Sequence, residues 1–293
     1  MKTDFLKLSE LPDNVILLSP ACGSLFGWLP ENEALVRGVC FAHPSSYIGI
    51  ASFQGASGHF KEGGIEVTFD IFEARDFSRE LLRANPLYFE IIAVSSDSCL
   101  ISTYEGDKFR ALIPAVISRS LVVRYIAWAK SEMTKLLAHP VLESKRHRSP
   151  SLNPRLESLI RALANVTIAE RIVEGNFSSL PISDSSIAEL AMLPEISYSD
   201  LGNVLGDLTK RITTLERDSR LRKMPRDPDR NAIEGTLMET LMDFLHRTVP
   251  QRTVQAEPES GTTYPKNLAP EDDQGTGYPS PSSDQTGTDA AKR

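Results

Sequence analysis

The sequence predicts an α/β (α+β) protein: a mixed α/β head followed by an all-helical C-terminal domain. Three observations predict it. Through residue 140, runs rich in β-branched and aromatic residues alternate with helical spacing. From 154 to 248 the apolar period is helical throughout, and from Pro250 onward no apolar period remains. The expected organisation is a head at 1–140, a linker at 141–153, a helical domain at 154–248 and a disordered tail at 249–293.

In chain order, NVILLSP (14–20), VRGVCFA (36–42) and IEVTFDIF (65–72) have strand composition. Ala74, Phe77 and Leu81 recur at helical spacing, and the run stops before Asn85-Pro86. The intervening SFQGASGHFKEGG (52–64) contains four glycines without a Gly-Lys-Ser/Thr ending, which predicts a flexible loop rather than a nucleotide-binding P-loop. A longer amphipathic helix follows, with Val122, Ile126, Ala129, Met133 and Leu136 on one face.

Three prolines and a charge cluster in HPVLESKRHRSPSLNP (139–154) mark the linker. Beyond it come three helical stripes: Leu156, Leu159, Ile160 and Leu163; Leu201, Leu205, Leu208, Ile212 and Leu215; and Ile233, Leu237, Leu241 and Leu245. The tail has no Ile, Phe, Met or Trp, so it cannot bury enough surface to offset its ordering entropy.

Lys and Arg total 32 against 39 Asp and Glu, a net charge of -7, which excludes a globally basic nucleic-acid coat but not a local basic face. Cys22, Cys40 and Cys99 cannot all pair and none lie at CxxC spacing, so a reducing, cytoplasmic setting is expected. No run approaches the roughly 18 apolar residues of a membrane helix. The charged start MKTDFLKLSELPDN is not a signal peptide, and no membrane partner is expected. The five histidines are scattered and show no zinc-ligand spacing. Cys22 has no histidine near it in sequence to activate it as a nucleophile.

The most informative stretch is VILLSPACGSLFGWLPENEALVRGVCFAHP (15–44). An apolar strand enters Gly23-Ser24, where small residues let backbone N–H groups approach a phosphate. Glu31 and Glu33 follow at two-residue spacing, suited to sharing a divalent metal, and Arg37-Gly38 opens the next strand. An ordinary strand–turn–strand with a solvated Glu pair has the same pattern.

This stretch resembles the predicted nucleotidyltransferases of the DNA polymerase beta superfamily, in particular the bacterial and phage family linked to RNA repair. Members carry a Gly-Ser-Arg-x-Tyr-Gly turn, a Pro, a Ser-Asp-x-Asp pair and an Arg-Gly-Val strand. The corresponding residues here are Gly23, Ser24, Phe26, Gly27, Pro30, Asn32, Glu33, Leu35, Arg37, Gly38 and Val39. The likeness continues through Asn85, Pro86 and Glu90, and through Tyr125, Trp128, Ala129 and Leu136. It covers about residues 14–246.

The resemblance implies a nucleotidyltransferase-like mixed sheet flanked by helices. It also implies transfer of a nucleoside monophosphate from an NTP to an RNA or tRNA acceptor, with Mg²⁺ or Mn²⁺. Gly23 and Ser24 would cradle the triphosphate, and Arg37 would stabilise the strand or a phosphate. The departures fall on the turn and the metal ligands: the Arg of the turn is Leu25, the first family Asp is Glu33, the second is Leu35, and the third aligns with Thr68. Glu66 and Asp70 flank Thr68 on its own face, so Glu33 with Asp70 or Glu66 would hold one ion. The alternative is a catalytically inactive relative that binds nucleotide, RNA or a protein partner.

Basic residues cluster at Lys145, Arg146, His147 and Arg148, and again at Lys210, Arg211, Arg217, Arg220, Arg222, Lys223, Arg226 and Arg230. Such segregation in an acidic protein fits one positive face for an RNA backbone, although a solvated helix surface with Arg–Glu pairs has the same composition.

Overall fold

Alternating apolar residues build a five-stranded mixed sheet at the centre of the head. The computed structural model describes residues 11–21, 32–48, 53, 55–138, 154–181, 187, 189–190 and 198–248. All of these belong to one compact unit, Met1–Gln251. The expected linker and tail lie outside the described residues.

Strands β1 (Val15–Pro20), β2 (Glu33–Cys40), β3 (Ala56–Glu62), β4 (Ile65–Glu73) and β5 (Ile101–Ser102) run in the order β3-β4-β2-β1-β5. β2 and β4 are parallel, and the other neighbours are antiparallel. Three strands form where the sequence pattern places them. β3 is a correction: residues 52–64 are not simply a loop, because 56–62 pair with residues 65–71 of β4. Its glycines hide a period of two. Gly58 lies under the Phe69 ring, where an added Cβ would come within 2.8 Å of the ring, so only glycine fits beneath it.

One sheet face packs Ala34, Val36, Val67, Phe69 and Ile71 with Leu11, Leu18 and Cys40 into a small core. The other face is apolar only at one end. There Leu17 and Val39 meet helices α2 (Ala74–Leu82), α3 (Pro86–Ala93) and α4 (Tyr104–Arg110) through Phe77, Phe89 and Phe109. α2 follows β4 directly, capped by Glu73, and Asn85 caps α3 with Pro86 in its first turn. The Asn-Pro pair is therefore the start of a helix as well as the end of one.

The remaining helices are α1 (Pro44–Ile48), α5 (Ile113–Val116), α6 (Arg119–Ala138), α7 (Pro154–Glu174), α8 (Tyr198–Arg217), α9 (Ser219–Lys223) and α10 (Arg230–Thr248). The predicted stripes point inward: Val122, Ile126, Ala129 and Leu136 of α6 are buried, as are Leu156, Leu159, Ile160 and Leu163 of α7. They share the main core with Leu208, Ile212, Ile233 and Phe244. α10 returns to the head, where Phe244 stacks on Phe41 with ring centroids 4.7 Å apart. Among the described residues no single helix is long and apolar enough to cross a membrane.

Candidate functional site

The open end of the helix-facing sheet surface collects the head's polar side chains. In β2 and β4, residues two apart share a face. The parallel register pairs Glu33 with Glu66, Leu35 with Thr68 and Arg37 with Asp70. On the far side of β4, Lys61 stands opposite Glu66, His59 opposite Thr68 and Ser57 opposite Asp70. β1 adds Ser19 beside Arg37. Three rows cross the sheet: Lys61–Glu66–Glu33, His59–Thr68–Leu35 and Ser57–Asp70–Arg37–Ser19.

The structure thus brings Glu33 and Glu66 side by side. It does not bring Glu33 to Asp70, because four residues at about 3.3 Å each separate their rows by about 13 Å along the strands. Asp70 instead faces Arg37, with its Oδ2 3.8 Å from Nε. Gly23 and Ser24 lie outside the described residues, as does Glu31.

Arg37 is the electrostatic centre of the third row. Its side chain is 19% exposed, and Nε is shielded from solvent without a hydrogen-bond partner. Beside it, Ser19 is committed elsewhere: its Oγ donates to the Ile91 carbonyl at 3.0 Å, tying the sheet to α3. Tyr88 of α3 borders the same region. Burial and then Glu80, Asp76 and Asp70 raise its phenol above the ordinary range, while Arg37 opposes them.

Sequence reasoning missed two groups. The first is His59, Lys61 and Ser57, concealed by the glycines of β3. The second is a buried carboxylate at the β4–α2 junction. Glu73 is 1% exposed and accepts hydrogen bonds from Tyr47 Oη (2.8 Å), Arg75 N (2.9 Å), Asp76 N (3.4 Å) and Arg75 Nε (3.2 Å). The Arg75 guanidinium also lies over the Tyr47 ring, 4.5 Å from its centroid. Burial, then the hydrogen bond to Glu73, raises the Tyr47 phenol above its ordinary value. Burial, then Glu73, pushes the Cys40 thiol up to about 12. An acid between a strand pattern and a helix pattern is an N-cap signal, so Glu73 was findable. It has no open face and serves the fold.

In the helical region the basic cluster is partly neutralised. Arg211 binds Glu170 and Thr167, Arg220 binds Asp218, and Arg230 binds Glu234. Lys210, Arg217, Arg222 and Lys223 are exposed and have no ion-pair partner among the described residues. The run Lys145–Arg148 lies outside the described residues.

The divalent metals implied by the resemblance do not fit this face as a pair of ions. Two-metal phosphoryl transfer needs carboxylates that bridge ions roughly 3.5–4 Å apart. At the middle row the side chains are Leu35 and Thr68, and Leu35 has no oxygen to offer. Among the described residues no three His, Cys, Asp or Glu side chains converge as a metal site.

No family model matches the sequence, and no curated protein does. Among solved structures, the chain is similar to a nucleotidyltransferase-like protein from Exiguobacterium sibiricum 255-15. The identity is 9%, the match covers 79% of this chain and 75% of that one, and the TM-score is 0.27. The likeness is loose, and the assignment to the mixed α+β class rests on the sheet and helices themselves.

Proposed function

We propose that the chain is a nucleotidyltransferase-like binding module, catalytically inactive, that recognises a nucleotide or an RNA. One observation carries the reading: Leu35 and Thr68 face one another at the positions where the family resemblance calls for two metal-binding carboxylates. A sheet face without those carboxylates keeps its polar, open surface but loses the means to neutralise a triphosphate and activate a hydroxyl with two ions. The exposed cations Lys210, Arg217, Arg222 and Lys223 would supply attraction for an RNA backbone or tRNA acceptor.

A second reading keeps weak nucleotidyl transfer through a single Mg²⁺ or Mn²⁺. The side-by-side placement of Glu33 and Glu66 favours it, since two adjacent carboxylates are the least that would hold one ion. The two are separated by following labelled NTP into RNA or tRNA with either metal, alongside direct binding of the same NTP. The expected result is binding without transfer, unchanged in Glu33→Ala. Transfer that depends on metal and vanishes in Glu33→Ala would replace the binding reading with the enzymatic one.

A further inference from the structure

We propose that the open sheet face grips a phosphoryl oxyanion on side-chain donors alone, with Arg37 as its principal ligand and no metal ion in between. The inference rests on the nucleotide- or RNA-binding reading above and names the group that would be held and the residues that would hold it.

The state of Arg37 is what calls for a ligand. A guanidinium offers five N–H donors in a fork that matches two phosphoryl oxygens. Polar atoms that folded proteins shield from water are nearly always hydrogen-bonded. Arg37 departs from that rule: Nε is shielded and unbonded, and no hydrogen bond from Nη1 or Nη2 is made within the described residues. Asp70 stands 3.8 Å from Nε, close enough to hold the charge in place but too far for a hydrogen bond. Asp70 is thus a positioning residue on the Nε edge, and the terminal nitrogens are left for another acceptor.

The surrounding donors have the right chemistry. Ser57 shares the row, and His59 and Thr68 stand one row away, about 7 Å along the strands. All three are exposed, and none forms an ion pair within the described residues. Leu35 beside Thr68 gives the face an uncharged patch rather than a competing charge. Asp70 is the one carboxylate in Arg37's own row, and its charge is offset by the guanidinium it faces; Glu33 and Glu66 lie at the far row, about 13 Å from Arg37, with Lys61 beside them. Where the resemblance places metal ions to meet a phosphate, this chain places a guanidinium, an imidazole and two hydroxyls.

The test is calorimetry on the full chain with ATP, inorganic pyrophosphate, adenosine and a short single-stranded RNA, each in EDTA and again in Mg²⁺. The expected result is that ATP or RNA binds equally in both buffers and adenosine does not bind. Pyrophosphate binding would identify a free phosphoryl group as sufficient, and RNA binding without ATP binding would identify the backbone phosphodiester as the source. Arg37→Gln and the charge-balanced pair Arg37→Gln/Asp70→Asn should each weaken binding about tenfold or more. If those fail to fold by circular dichroism, Arg37→Lys keeps the ion pair but loses the fork, and His59→Ala changes an exposed strand residue. Each should weaken binding about threefold or more. Binding that requires Mg²⁺, or that is unmoved in folded Arg37 and His59 variants, overturns the metal-free site and leaves the binding-module reading standing. Absence of binding by ATP, pyrophosphate and RNA in both buffers overturns that reading, and the proposal with it.

Discussion

Leu35 on β2 and Thr68 on β4 are direct partners across the parallel strand pair, on the same face as Glu33, Glu66, Arg37 and Asp70. A side chain without oxygen and a hydroxyl occupy the middle of a face that is otherwise charged on either side. Introducing Asp at both positions would place four carboxylates on two adjacent rows. Leu35→Asp/Thr68→Asp is expected to bind Mn²⁺ at least about tenfold more tightly than the parent chain, measured by calorimetry or paramagnetic relaxation. Equal affinity in the two proteins would show that these rows do not converge on a common point.

The last helix is fastened to the head by a buried charge. Glu105 on α4 is 3% exposed and bonds Arg247 of α10 and Thr103 Oγ1, the latter at 2.8 Å. Arg247 itself is 61% exposed, so solvent screens its half of the pair. Arg247→Met should cost about 1–2 kcal/mol in urea unfolding, chiefly by leaving the Glu105 carboxylate uncompensated. Adding Glu105→Gln should recover part of that loss. A double variant as unstable as the sum of the singles would mean the pair is not coupled.

Glu73 makes a comparable demand at the β4–α2 junction, where one carboxylate caps a helix and receives Tyr47 and Arg75. Glu73→Ala removes the cap and strands several donors, with an expected loss of about 2–3 kcal/mol. Tyr47→Phe removes one donor to Glu73 and the acceptor of the Ala42 N–H, leaves the cap in place and should cost less, about 1 kcal/mol. Thermal melting of the two variants checks the order.

Alkaline pH should destabilise the fold through Cys40 and Tyr47. Both pKa values are raised in the folded chain, so the folded state holds protons that the unfolded state releases. Stability from Cys40 is therefore complete below its ordinary value of 9.0 and is lost as pH rises toward about 12. Cys40→Ala should flatten the fall in melting temperature above pH 9 relative to the parent. Cys40 should also resist iodoacetamide at pH 8 in the native state and react after unfolding. Rapid native labelling of Cys40 would show that it is not packed as described.

If RNA is the ligand, its affinity should fall with salt in proportion to the phosphates contacted. Four contacts from Lys210, Arg217, Arg222 and Lys223 to a single strand give a log–log slope of about -3. Replacing all four by Gln should remove most of that slope without lowering stability, since none is ion-paired within the described residues. An unchanged slope would move the RNA contact away from α8 and α9.

Local pattern was enough to place β1, β2, β4, α2 and α6, because each repeats apolar residues at a period that one kind of backbone can bury. The helical stripes of α7, α8 and α10 were legible for the same reason. Even the loss of one metal ligand was legible, since Leu35 has no oxygen in any fold. The sequence could also place Glu66 and Asp70 on one face of one strand, because alternation is a property of the strand alone.

Register between strands belongs to the tertiary structure. Which of Glu66 and Asp70 stands beside Glu33 depends on how β2 and β4 slide past one another, since a slide of four residues would bring Asp70 to Glu33 without moving either carboxylate to the other face. The structure selects Glu66 and gives Asp70 to Arg37. The same holds for β3, where Gly58 beneath Phe69 and the glycines around it erased the alternation and only pairing with β4 disclosed a strand carrying His59 and Lys61. The Phe41–Phe244 stack and the Glu105–Arg247 pair join residues more than a hundred positions apart. No local period encodes such contacts, because they exist only once α10 has folded back onto α2 and α4.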